Sequence, residues 1–492
     1  MAKVRRSILF SFGDRYAAIG LNLIATAVLA RILTPDDFGM FAVVAGFTMM
    51  LEAMREFGIG AYVVQAETVS RNDLRTAFTL SMLLSVAMTA VVLVSAEPVA
   101  GWYGEPGLVI GLKLATLSFL FVPFSVPPIA VLRRDMRFDR VALTTLCAAL
   151  AQLIIAVGLG LAGFGYLSLV IGVIAYNLAL ALAAALLGRG LPMYRPCLAN
   201  ARRLLTFGGW ASATSAMNVL YARFPQLVVG RTLGFETAGL LDRAGLLCQM
   251  QDRLILSAVQ PVVLSLFSLK VRDRVDLKQS YLHAAGLGLT VQWPCLICLI
   301  MLANPIVAIV LGQGWTEAAD LLRILAIGYL PMFAAYLTYP TLVASGRVRD
   351  TCTSSLISLP PSFLLIGLGA LWSIQATAVA MALGWVLQMA VALHFMRAAV
   401  GFTWFEFAGA LRPGAHAALG AGVAPAIAYV AAGFSFELPR TLGLAAGAGA
   451  VAGWLIALIL IEHPIVQEAR TWLRPTGHAR LHARPAGEAR SG

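Results

Sequence analysis

Between Arg75 and Glu97 the chain carries no charged side chain, running through AFTLSMLLSVAMTAVVLV and its flanks, and stretches of this kind fill most of its 492 residues. A hydrocarbon core about 30 Å thick is crossed by about 20 apolar residues rising 1.5 Å each, so length alone makes such runs membrane-spanning helices. The balance of residue types agrees: 60% are hydrophobic and 12% charged, with mean hydropathy +0.83, whereas soluble domains are about one quarter charged. A β-barrel would instead alternate apolar and polar residues in segments of about ten. The pattern predicts an all-α polytopic membrane protein.

Fourteen spans are predicted: 8–33, 38–66, 74–95, 108–132, 142–162, 166–188, 204–233, 237–268, 280–303, 317–345, 351–372, 375–397, 413–433 and 441–462. The start, MAKVRRSILF, resembles the charged region of a signal peptide, but its apolar stretch runs on to Leu33 without a small-residue cleavage site. It is therefore read as the first span. Basic residues test the count. The segments on the N-terminal side hold 26 of the 36, among them Arg71, Arg75, Arg133, Arg134, Arg137 and Arg140, while the opposite loops hold only Arg440. Positive residues are retained in the cytoplasm, so both termini are expected inside a bacterial inner membrane. The net charge of +12 is then a topology signal with some attraction to anionic membrane lipids, and nucleic acid is not an expected partner.

The six cysteines are scattered, and the pair Cys295 and Cys298 lies within an apolar helix, where inert thiols are expected rather than a redox pair. His478 and His482 fall in a tail rich in Arg, Gly and Pro. No metal site, cofactor or catalytic residue is expected.

An internal repeat organises the spans. LARILTPDDFGMF (29–41) returns as VGRTLGFETAGLL (229–241), each with an Arg (Arg31, Arg231) eight residues before a Gly (Gly39, Gly239). LFSFGDRYAA (9–18) parallels LLTFGGWASA (204–213), and EPVAGWYG (97–104) parallels NPIVAIVLGQGW (304–315), the latter two expected in external loops. Spans 1–6 and 7–12 are thus two pseudo-symmetric six-helix lobes, residues 1–200 and 201–400. Residues 401–463 add two C-terminal helices, and 464–492 form a basic tail expected to be disordered. Each lobe has an even number of spans, so the pseudo-two-fold axis runs along the membrane normal, as in transporters built from parallel repeats. The doubled motif is then the external hairpin of each lobe, with Gly39 and Gly239 expected to permit its tight turn. Arg31 and Arg231 are expected to anchor and cap there, with substrate contact as the alternative.

Charge inside the membrane costs about 2.5–3.5 kcal/mol per residue on insertion scales, and here it is concentrated: of the nine basic residues within spans, seven lie in spans 1, 2, 7 and 8, and the other two, Lys113 and Arg323, sit at the outer ends of spans 4 and 10. Spans 1, 2, 7 and 8 hold Asp14, Arg15, Arg31, Glu52, Arg55, Glu56, Arg223, Arg231, Asp242, Arg243, Asp252 and Arg253. Glu52, Arg55 and Glu56 share one face of span 2; Asp242, Gln249 and Arg253 lie within about 20° of one stripe on span 8. Interhelical ion pairs that hold the lobes together would explain single residues. The whole cluster points to a hydrated central path, because buried ion pairs add little net stability. Arg15, Arg55, Arg223, Arg243 and Arg253 are the candidate substrate-binding residues, since guanidinium suits phosphate. Asp14, Glu52, Glu56, Asp242 and Asp252 are the candidates for gating or for coupling to protons or sodium. The offset of 200 sets Glu52 opposite Asp252, which is expected either to find a partner on another helix, with Arg223 the nominee, or to titrate with a raised pKa. Tyr16, Trp210 and Tyr221 are candidates to stack on sugar rings.

The run ARILTPDDFGMFAVVAGF, the segment AYVVQ (61–65), the loop RRDMRFDR and the echo GRTLGFETAGLLDRA resemble polysaccharide transporters of the multidrug/oligosaccharidyl-lipid/polysaccharide (MOP) flippase superfamily. The likeness is to Wzx-like and succinoglycan-type (ExoT-like) exporters, over spans 1–12 and onward into 13 and 14. It implies two lobes around a cavity formed by spans 1, 2, 7 and 8. It also implies the flipping of an undecaprenyl-pyrophosphate-linked oligosaccharide for exopolysaccharide or lipopolysaccharide synthesis by alternating access, beside polymerase and export machinery and without covalent chemistry. The alternatives are a drug or cation antiporter, which favours an acidic cavity, and a lipid II flippase. An integral membrane polymerase or glycosyltransferase would bring a long loop or a soluble domain, and neither is visible.

Overall fold

The structure, a computed structural model, describes residues 17, 19–55, 63, 69–187, 195–199, 201–272 and 276–461. Among these, all regular structure is helical, as expected where no water is available to satisfy backbone groups outside a helix or closed barrel. In chain order the helices are α1 (Ile19–Ile32), α2 (Pro35–Arg55), α3 (Arg71–Tyr103), α4 (Gly107–Arg134), α5 (Phe138–Leu161), α6 (Tyr166–Leu187), α7 (Ala201–Thr232), α8 (Phe235–Arg272), α9 (Lys278–Met301), α10 (Ala303–Val310), α11 (Ala318–Tyr329), α12 (Phe333–Ala344), α13 (Val348–Gly369), α14 (Ile374–Val400), α15 (Trp404–Ala431) and α16 (Arg440–Leu460). Nine of them, among the described residues, are long and apolar enough to cross a membrane: α3 to α6, α9 and α13 to α16. Large apolar side chains such as Val94, Leu186 and Leu460 point outward with 77–81% exposure, a surface suited to lipid and not to water.

Three sequence expectations change. The predicted span 317–345 is two helices joined by a 3₁₀ turn at Leu330–Met332; Pro331 lacks the amide needed to carry the helix through. The segment 304–315, expected as loop, begins with the eight-residue α10. EPVAGWY, expected in a loop, is the last part of α3, which continues past Pro98 and stops at Gly104, whose φ of 73° lies in the left-handed region.

The linkers gather at two ends. The hairpin end carries 33–34, 104–106, 162–165 and 233–234; the basic end carries 135–137, 345–347 and 401–403. Helices α3 to α6 pack mainly among themselves, with α4 and α6 also against α2. Helix α11 packs on α8 and α14, α13 on α14, and α15 on both α9 and α16. Small residues allow the last contact: a Cβ on Gly420 would stand 2.7 Å from the Gly453 carbonyl oxygen, and one on Gly453 would stand 2.2 Å from that of Gly420. Such residues let helix backbones approach where lipid supplies no hydrophobic drive. The two halves of the chain meet chiefly where α2 packs on α7 and α8.

Candidate functional site

The repeated motif meets itself. A Cβ on Gly39 would stand 1.7 Å from the carbonyl oxygen of Phe235, and one on Gly239 would stand 1.9 Å from that of Pro35. Positions 200 apart therefore touch reciprocally, with α2 and α8 crossing backbone to backbone at their first turns. This corrects the role expected of the two glycines. They lie inside helices, and the positive φ of the second hairpin (95°) belongs to Gly234; what they provide is close approach.

Each half also reaches across. Tyr103 at the end of α3 donates its hydroxyl to the Leu227 carbonyl of α7 at 2.9 Å and stacks on Phe235. Trp315, in the matching segment of the other half, donates Nε1–H to the Ala30 carbonyl of α1 at 2.8 Å and meets Phe38 edge-on. Arg31 donates to the carbonyls of Ile309 at 2.5 Å and Val310 at 3.2 Å, capping α10, and Arg231 lies 5.7 Å from the centre of the Trp102 ring. The anchoring and capping role holds for Arg31. Asp37 caps too: its carboxylate accepts from the Thr34 amide and hydroxyl at 3.0 and 2.8 Å.

Immediately beyond this crossing lies a cavity of about 530 Å³, whose wall begins at Phe41 on α2 and Leu241 on α8 and continues onto α4, α6 and α7. Its charged lining among the described residues is Glu52, Arg223, Asp242 and Arg243. Asp242 is held between two guanidinium groups. Its Oδ2 accepts from Arg243 Nε at 3.0 Å and Nη2 at 2.5 Å, and its Oδ1 accepts from Arg223 Nη1 at 3.5 Å. Arg243 also lies 4.4 Å from the centre of the Phe38 ring, a cation–π contact in a site where Asp242 and Arg243 are each only 8% exposed. A buried carboxylate keeps its charge only with such partners, and removing one of them typically costs about 3–5 kcal/mol.

A second cavity of about 410 Å³ extends between α1, α2, α5, α6 and α8. It shares Asn22, Phe41, Tyr176, Arg243 and Leu246 with the first, so Arg243 stands on the partition between two chambers.

The structure sorts the candidates. Glu52, Arg223, Asp242 and Arg243 converge on the first cavity, and Gln249 joins them from the stripe it shares with Asp242. Asp14, Arg15 and Glu56 lie outside the described residues, as do Tyr16 and the side chains of Arg55, Arg253 and Trp210. The basic excess expected of the cavity therefore rests on side chains that are not described; the described charged wall balances two arginines against two carboxylates. Asp252 stands apart from these four. It is absent from the cavity wall, lies 8% exposed, and accepts the hydroxyl of Tyr329 on α11. One partner is on another helix as expected, here Tyr329 on α11, while Arg223 pairs with Asp242. Tyr221 likewise packs against α13 and α14: its hydroxyl accepts from the Gln388 amide and its ring meets Phe363 edge-on. The cavity's aromatics among the described residues are Phe41, Phe119 and Tyr176; Phe41 closes the repeated motif, whereas no charge or repeat signal marks Tyr176 in the sequence.

A sequence profile of the family described as "Polysaccharide biosynthesis protein" matches residues 28–320. The lipopolysaccharide biosynthesis protein WzxC of Escherichia coli (strain K12) is 24% identical over 374 residues, 75% of each chain. The succinoglycan biosynthesis transport protein ExoT of Rhizobium meliloti (strain 1021) is 24% identical over 347 residues, 70% of each chain. Among solved structures, the lipid II flippase MurJ in an inward closed conformation superposes with TM-score 0.75, covering 93% of this chain and 100% of that one at 14% identity. An inward-facing multidrug resistance MATE transporter of the MOP superfamily superposes with TM-score 0.59 over 80% of this chain and 94% of the other, at 15% identity. The fold is that of these multi-pass membrane transporters.

Proposed function

Because the chain belongs to the polysaccharide biosynthesis protein family, we propose that it flips an undecaprenyl-pyrophosphate-linked oligosaccharide across the bacterial inner membrane for exopolysaccharide or lipopolysaccharide synthesis. The observation that carries this reading is the convergence of Arg223 and Arg243 on a single carboxylate, Asp242, at the wall of an internal cavity. Guanidinium forks match the oxygen geometry of phosphate as well as that of carboxylate. A pyrophosphate entering the cavity takes over donors that Asp242 holds in the empty protein. The exchange keeps both guanidinium groups paired, and the displaced Asp242 carboxylate must then take up a proton or another donor, because a buried carboxylate without partners is costly. No bond is made or broken, and the protein acts as a transporter and not as an enzyme. The basic end faces the cytoplasm with both termini, the side on which lipid-linked sugars are assembled and loaded. Polymerase and export proteins are the expected partners on the other side. Coupling to a proton or sodium gradient falls in this reading to Glu52, the carboxylate at the cavity wall, rather than to Asp252 beside Tyr329.

The test is transfer of an undecaprenyl-pyrophosphate-linked saccharide between leaflets of proteoliposomes. Arg243→Ala and Arg223→Ala should each lower the rate at least about tenfold, the loss of one charge-assisted contact of about 1.4 kcal/mol or more, with the protein reconstituted at parental levels. Glu52→Gln should remove any response to an imposed pH or sodium gradient. Full transfer by both arginine variants would sink the reading.

A further inference from the structure

The second chamber differs from the first in its chemistry. Apart from Arg243 on the partition, its described lining carries no charge. Its polar groups include Asn22 on α1, Gln152 on α5 and Tyr176 on α6. Among the described residues neither the Asn22 nor the Gln152 amide hydrogen-bonds within the chain. The Gln152 stem lies against Gly172 of α6, where an added Cβ would stand 3.6 Å from its Cγ. Thr145, by contrast, is satisfied by the Val141 and Ala142 carbonyls of its own helix at 3.0 Å. A chamber of about 410 Å³ falls within the usual range of small-ligand sites, far short of a whole oligosaccharide with its lipid.

On the proposed function a pyrophosphate sits at Arg223 and Arg243, and it bears two substituents, a sugar and an isoprenoid chain. Only one can follow Arg243 through the partition. A hydrocarbon chain there would displace water from two amides and give them nothing in return, the costly case for a buried polar group. It also has a better place in lipid, against the apolar exterior of the bundle. Sugar hydroxyls both donate and accept, and so satisfy Asn22 and Gln152, while the amphipathic ring of Tyr176 offers a face on which a sugar ring packs. We infer that the second chamber is the subsite for the pyrophosphate-proximal sugar, with Gln152 and Asn22 as its specificity-determining residues. This inference rests on the flippase reading. Arg243 then divides the ligand, with phosphate on one side and sugar on the other.

Binding of two probes to the purified full-length protein in lipid nanodiscs tests this: undecaprenyl pyrophosphate, and the same lipid bearing one N-acetylhexosamine. The parent should bind the glycosylated lipid more tightly. Gln152→Leu should weaken the glycosylated lipid about tenfold, one buried hydrogen bond's worth, and leave the bare lipid within about twofold. Ala149→Phe, which fills the chamber from α5, should remove the preference for the sugar. Bare-lipid binding doubles as the control for folding. Equal affinity of the parent for both lipids, or equal weakening of both by either variant, would overturn the sugar subsite while leaving the flippase reading intact. Failure of the parent to bind either lipid would overturn both.

Discussion

Gly39 and Gly239 are the residues on which the hairpin end turns. At each, an added methyl group would fall within 2 Å of a backbone oxygen of the facing helix, and a backbone cannot rotate away as a side chain does. Overpacking of this kind typically costs about 1–3 kcal/mol. Gly39→Ala should therefore force α2 and α8 apart, lowering the thermal midpoint in detergent and exposing the cavity from the hairpin side. A cysteine at Ala222, on the cavity wall, reports this: it should react with an impermeant thiol reagent from that side in the Gly39→Ala background and not in the parent. Unchanged labelling together with an unchanged midpoint would show that the crossing yields at no cost. Arg243 illustrates the opposite economy, one side chain serving Asp242, Phe38 and two chambers.

Among elements, the crossing is locked by hydrogen bonds that each half donates to the other. Tyr103→Phe and Trp315→Phe keep the ring contacts with Phe235 and Phe38 but delete the donors to Leu227 and Ala30. Each bond is worth about 0.5–1.5 kcal/mol, so the double variant should shift the ratio of closed to open hairpin ends about tenfold or more, read as faster labelling of the same cysteine at Ala222. Labelling at the parental rate would confine both rings to packing. At the basic end, arginines predicted from topology also terminate helices: Arg140 donates to the Leu187 carbonyl at the end of α6, and Arg347 to the Ala398 carbonyl near the end of α14, at 2.5 and 2.8 Å. Cations at a helix C-terminus are favoured by its dipole and its unpaired carbonyls. The charge from which the orientation is predicted therefore also caps helices.

For the molecule as a whole, the charge asymmetry predicts which end faces the cytoplasm, and a natural residue reports it. Cys197 lies in the described segment between α6 and α7, where a hydrogen bond from the Ala199 backbone amide holds its thiol below the ordinary range. The thiolate is the reactive form, so this shift favours reaction at Cys197. Cys147 and Cys295 are exposed on α5 and α9, where lipid excludes a charged reagent. In a variant retaining Cys197 alone, an impermeant maleimide should label inside-out vesicles and spare right-side-out ones. The reverse pattern would invert the map.

What the sequence by itself determined is whatever depends on position along a helix. Apolar length, the concentration of charge in α1, α2, α7 and α8, and the offset of 200 are all one-dimensional, and the crossing of Gly39 with Gly239 obeys that register. Break points set by proline, and the helical continuation of EPVAGWY, escaped because hydropathy averages over them. What each helix face meets was left to tertiary structure. Glu52 and Asp252 occupy the same depth, about 25 Å from the first residues of α2 and α8 at 1.5 Å per residue, yet Glu52 lines the cavity and Asp252 meets Tyr329. At about 100° per residue the equal offset predicts the same rotation as well as the same depth for both, so it is the different neighbours packed against each helix that decide which side chain faces the cavity. Arg223 found Asp242 instead of Asp252 for that reason. Tyr221 turned toward α14 and Tyr176 toward the cavity because a helix of apolar residues shows no preferred face until its partners choose one.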